Sequence, residues 1–136
     1  MTRSVVFVFI WLVAAAIANA EAPAVKVTVR ELLAHPQKFD GQRVDVRGYY
    51  TAGMEDSQLW PSARVAKRAR SLDESVYVDA SVYGPPKPPH IPDPDTVKNR
   101  YVRIVGEFHA RRLEPGIWNS PSGPNIRKAS YFQPSR

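Results

Sequence analysis

Two segments of the chain alternate apolar and polar residues with the period of a β-strand, and each places a glycine where an inward side chain is due. From Gln42 to Thr51, Val44, Val46, Gly48 and Tyr50 share one face, while Arg43, Asp45, Arg47 and Tyr49 share the other. From Arg100 to Phe108 the pattern repeats with Val102, Ile104, Gly106 and Phe108. Glycine weakens a strand interior, so its usual place there is a bulge, a bend or a close approach of another backbone. A small closed barrel needs such points, because one strand must coil enough to serve both halves of the sheet. Gly48 and Gly106 are therefore read as coiling points of barrel strands. Gly41, in Asp40-Gly41, is read as the turn that leads into the first of them.

The remaining elements are shorter. Val25 to Val27 predicts a brief strand, and Thr28-x-x-Glu31 is a capping box that starts a helix carrying Val29, Leu32 and Leu33 on one face. Pro36 is expected to end that helix, after which Phe39 packs back on the core. A short strand over Ser57 to Trp60 stops at Pro61, and "ARVAKRARSLDE" predicts a helical turn or a basic loop. In "SVYVDASVY", Val76, Val78, Ala80 and Val82 alternate with Tyr77, Asp79, Ser81 and Tyr83, again as a strand. Residues 84–95, "GPPKPPHIPDPD", are too proline-rich for a helix or an inner strand and predict an extended exposed loop. The tail beyond Leu113 fits an irregular strand or two. About five strands, one helix and no βαβ alternation close most simply as a small, mainly β, mostly antiparallel barrel.

The first twenty residues, with Arg3, an apolar run from Val5 to Ala16 and Ala18-Asn19-Ala20, read as a secretory signal peptide cleaved after Ala20. The run falls short of the roughly 20 residues that span a bilayer, so no membrane span is expected after cleavage. The expected location is the periplasm or the outside of the cell. Residues 21–136 have the length of one domain, and the absence of cysteine excludes disulfides, thiol nucleophiles and thiolate metal sites. Without Arg3, 18 basic residues face 13 acidic ones. That excess favours anionic partners without choosing among them.

The order of Leu32, Pro36, Phe39, Asp40, Gly41, Val44, Val46, Gly48, Glu55, Leu59, Tyr101, Val102, Gly106 and Phe108 resembles a group of uncharacterised exported bacterial proteins that look like oligonucleotide/oligosaccharide-binding (OB) fold domains. The resemblance spans nearly all of residues 21–136 and implies a five-stranded OB-like barrel with one short N-terminal helix. It says almost nothing of activity. Such proteins tend to carry Gly-His in the tail, where this chain has Gly116-Ile117, so a role tied to that histidine is not expected.

Candidate chemistry is sparse. Arg64, Lys67, Arg68 and Arg70 lie within seven residues, Tyr49, Tyr77 and Tyr83 fall on predicted outer faces, and Trp60 is placed with Tyr49 and Tyr77 on the binding face of the barrel. Basic side chains release counterions from a polyanion, and aromatics stack on bases or sugars. Arg47, Tyr49, Trp60, Lys67, Arg68, Arg70 and Tyr77 are thus the expected ligand-binding residues, beside the alternative of a solvated basic loop and tyrosines that cover the barrel. The three histidines lack ligand spacing, so no metal or other cofactor is expected. No nucleophile elbow, phosphate-cradling loop or supported acid pair is present, and Glu55-Asp56 reads as solvated loop carboxylates. The expectation is a non-enzymatic binding module for an anionic glycan, envelope polymer or oligonucleotide. Its alternative is a protein-interaction or envelope-assembly domain that uses a sheet edge and the proline-rich loop.

Overall fold

The computed structural model describes residues 22–53, 57–79, 94–111 and 123–135. The elements are β1 (Val25–Thr28), α1 (Val29–Ala34), α2 (Pro36–Phe39), β2 (Arg43–Ala52), β3 (Ser57–Trp60), α3 (Ala63–Arg68), β4 (Val76–Val78), α4 (Pro94–Val97), β5 (Arg100–His109) and β6 (Asn125–Pro134). The proposed signal segment, Glu55-Asp56, Tyr83 and most of the proline-rich loop lie outside the described residues. The end of that loop is corrected, since Pro94 and Asp95 begin α4.

The strands form one sheet in the order β1-β2-β3-β4-β6-β5, and β5 also pairs with β2. That last pairing closes β2, β3, β4, β6 and β5 into a five-stranded OB-like barrel, with β1 added outside the ring against the first half of β2. The barrel is mixed, because β4 and β6 run parallel, as do β1 and β2. Its interior is built from the alternation read in the sequence: Val44, Val46, Tyr50, Leu59, Val76, Val78, Val102, Ile104, Phe108, Ile126 and Phe132 are all fully buried. Tyr50 meets Phe132 edge to face at 5.0 Å between centroids.

The helix start obeys its capping box. Thr28 Oγ1 accepts the Glu31 backbone N–H at 3.2 Å, and Glu31 Oε2 accepts the Thr28 N–H at 2.8 Å. Such a cap contributes about 1 kcal/mol. Pro36 does end α1, but it also opens α2, where a proline at the first helical position gives up only an N–H that has no helical partner. Val29, Leu32 and Phe39 carry this helical pair onto the barrel core.

Strand β2 serves two neighbours, and Gly48 is the point where it does so. Residues 43–50 pair with β5, while Tyr49 to Ala52 pair with β3. A Cβ on Gly48 would stand 2.7 Å from the Trp60 carbonyl oxygen and 2.8 Å from Leu59 Cγ. Gly106 does the same against β6, 2.8 Å from the Arg127 carbonyl oxygen, where the β5–β6 register shifts. Strand β6 is ten residues long where an irregular strand or two was expected, and its pairing with β5 shifts register between Ile126 and Phe132.

Candidate functional site

The outer faces of β1, β2 and β5 form a ladder of chemically distinct rows. Asp45 lies opposite Lys26 on one side and Val105 on the other; Arg47 lies between Thr28 and Arg103; Tyr49 lies opposite Tyr101. Directly opposed side chains leave backbones about 5 Å apart, so each row is one contact surface. Lys26, Val27, Thr28, Glu31, Asp45, Arg47 and Arg103 line a groove of about 550 Å³.

Two guanidinium groups in one cross-strand row repel each other, and like charges so placed destabilise a sheet. The repulsion is relieved on one side only. Arg103 turns diagonally to Asp45, with Nε donating to Oδ1 at 2.8 Å and Nη2 to Oδ2 at 2.7 Å, a bidentate pair. The Asp45 side chain is 10% exposed and that of Arg103 37%. The Arg103 hydrogen bonds hold the Asp45 carboxyl below the usual aspartate range against the opposing effect of burial, with further help from the charges of Arg103, Lys26 and Arg47. Glu31 is likewise held low, first by the Thr28 backbone N–H and then by its hydroxyl. Both carboxylates are thus engaged, whereas the side chains of Lys26 and Arg47 line the groove without a hydrogen bond to any described residue, acting on Asp45 through their charge alone.

A pH dependence follows from Asp45. Its folded pKa is depressed, so its contribution to stability is complete above the unfolded value of about 3.9 and is lost as pH falls through the lower folded value. An Asp45→Asn variant is expected to be about 1–2 kcal/mol less stable than wild type at pH 6, since the pair is only partly buried. That gap should narrow below pH about 4 as the wild-type carboxylate protonates. Thermal melts of both proteins across this range check it; a gap that stays constant would contradict the assignment.

One row further along β2, the two tyrosines meet edge to face with centroids 5.4 Å apart. Tyr49 is half-buried and Tyr101 is 47% exposed, which leaves one ring open a row beyond the Arg47–Arg103 pair. The Tyr101 hydroxyl accepts the Ala63 N–H at 3.2 Å, so the basic helix α3 begins at this ring.

The residues expected from sequence are divided by the fold. Arg47 and Tyr49 belong to the ladder just described. Trp60 is a correction: it lies opposite Tyr49 but is only 6% exposed, with its Nε1–H donating to Thr51 Oγ1 at 2.8 Å. Helix α3 packs on β2 and β3, and its Val65 is buried with Trp60 outside the central cluster. The helix thus uses the indole as its packing surface and leaves no ring for a ligand. Lys67, Arg68 and Arg70 are exposed on and after α3, with Arg68 paired to Glu74 at 3.0 Å. Tyr77 stands apart, in a second groove with Leu33, Gln58, Leu72, Asp73, Ser75 and Pro124. There the buried Ser75 hydroxyl donates to the buried Gln58 Oε1 at 2.8 Å. Lys26, Asp45, Tyr101 and Arg103 were missed as site residues. For Asp45, Tyr101 and Arg103 the signal was the equal spacing of "DVRGY" and "YVR", which becomes a site only once the register of β2 on β5 is known, while Lys26 joins through the pairing of β1 with β2.

Among the described residues no three His, Asp or Glu side chains gather into a metal-binding set, and no helix is long and apolar enough to cross a membrane. Fold and groove together define a small OB-like barrel protein with a mixed-charge outer groove and an open tyrosine one row from its arginine pair. No family model matches the chain, nor does a curated protein or a solved structure.

Proposed function

We propose that this protein is an exported, non-enzymatic binding module that takes an anionic polymer on the β1–β2–β5 face. The observation that carries the reading is the opposed Arg47–Arg103 row beside the open Tyr101 ring. A sheet that tolerates two guanidiniums face to face, with Lys26 next to them and the side chains of Arg47 and Lys26 hydrogen-bonded to no described residue, favours an anion that adds to the charge of Asp45. The alternative, strand addition by a protein partner, draws support from β1, which stands at one end of the sheet order with β2 as its strand neighbour.

Salt separates the two. Binding of the purified protein to a sulfated polysaccharide should weaken steeply as salt rises, because cations bound to the polymer are released. A Lys26→Ala/Arg47→Ala double variant is expected to flatten the log–log salt slope by about 1–2, whereas a Lys67/Arg68/Arg70 triple alanine variant should change it less. Isothermal titrations at several salt concentrations read both slopes. Binding indifferent to salt and to the double variant would turn the reading to strand addition.

A further inference from the structure

We propose that Asp45 is a specificity-determining residue that restricts the groove to sparsely charged acidic saccharides and turns away densely charged phosphodiester chains. This rests on the reading of the groove as an anion site. The groove's charge is not uniformly positive. Asp45 sits between Lys26 on β1 and Val105 on β5, one row from Arg47 and Arg103, and its carboxylate consumes the Nε and Nη2 donors of Arg103. Glu31 also lines the groove. Its Oε2 is taken by Thr28, while its Oε1 accepts from no described residue.

Successive rows on a strand face are about 7 Å apart. A nucleic-acid strand laid along them repeats its phosphates at a comparable interval, so a phosphate seated at Arg47 brings the next one against Asp45 or Tyr101. A saccharide meets the same surface differently. One ring stacks on Tyr101, one negative group sits between Lys26 and Arg47, and hydroxyls donate to the free oxygen of Glu31. The single open ring points the same way, because sequence-tolerant nucleic-acid binders offer stacking platforms to successive bases. Among the described residues of this face, Tyr101 is the exposed large aromatic.

The test compares wild type, Asp45→Asn and Asp45→Glu against a short hyaluronan oligosaccharide, in which only every second sugar carries a carboxylate, its methyl ester and an oligothymidylate of matched charge, with thermal melts to show that each variant is folded. Wild type is expected to bind the hyaluronan oligosaccharide, to lose the methyl ester, and to bind the oligothymidylate more weakly. Asp45→Asn should shift the preference toward oligothymidylate by about 10-fold, the scale of one like charge removed from an interface. Asp45→Glu, which keeps the charge, should restore the wild-type order. A purely structural role for Asp45 would weaken all ligands alike and leave the ratio unchanged. Wild-type preference for oligothymidylate, or an unchanged ratio in Asp45→Asn, overturns this inference while the polyanion reading stands. No binding of any of the three overturns both.

Discussion

Arg47→Glu should bind a polyanion about 10- to 100-fold more weakly than wild type while folding at least as stably. The two halves of this result have one cause. In the native sheet Arg47 faces Arg103 across the β2–β5 pair, and the repulsion between them is only partly offset through Asp45. A carboxylate at position 47 converts an opposed like pair into an opposed unlike pair, a change of up to about 1 kcal/mol in favour of the sheet. It also removes a groove cation whose side chain is hydrogen-bonded to no described residue and adds a negative charge in its place, which for a charged ligand costs a few kcal/mol of binding at low salt. Thermal melts and titrations on the same sample check both signs. A variant that loses binding and stability together would mark Arg47 as a structural residue.

The largest effect on stability is expected at Gly48. Alanine there puts a methyl group 2.7 Å from the Trp60 carbonyl oxygen, an atom of the neighbouring backbone that cannot step aside as a flexible side chain would. The β2–β3 crossing must open, at a cost of about 3 kcal/mol, near the top of the range for overpacked interiors. For a chain of this size that lowers Tm by about 10 °C. Gly41→Ala is the informative contrast. Gly41 has φ of 73° and no atom within 4 Å of a Cβ, so its cost is conformational alone, about 1 kcal/mol. If the two alanine variants melt together, close approach is not what Gly48 provides.

The two glycines also show how far a single chain can be read. Their place in the alternation marked them as points where something comes close, and the structure supplies what comes close: the backbone of Trp60 for Gly48, and that of Arg127 for Gly106. The same limit governs the groove. Arg47 and Tyr49 were legible as outward residues of one strand. Trp60 was placed on the binding face with them, yet it is buried where α3 packs on its strand, and a strand's pattern cannot tell a face open to solvent from one covered by a helix that packs back across the sheet.

What the sequence by itself determined is local: the capping box at Thr28 and Glu31, the inward valines of β2 and β5, and the need for glycine where those strands coil. Each follows from backbone geometry and side-chain period within about ten residues. What only the tertiary structure decided is which strands become neighbours and in what register. The pairing that sets Arg47 against Arg103, Tyr49 against Tyr101 and Lys26 against Asp45 joins segments far apart in the chain. It is chosen by closure of the barrel around Tyr50, Phe108 and Phe132. A one-residue slip would send those buried faces outward and dissolve the groove with them.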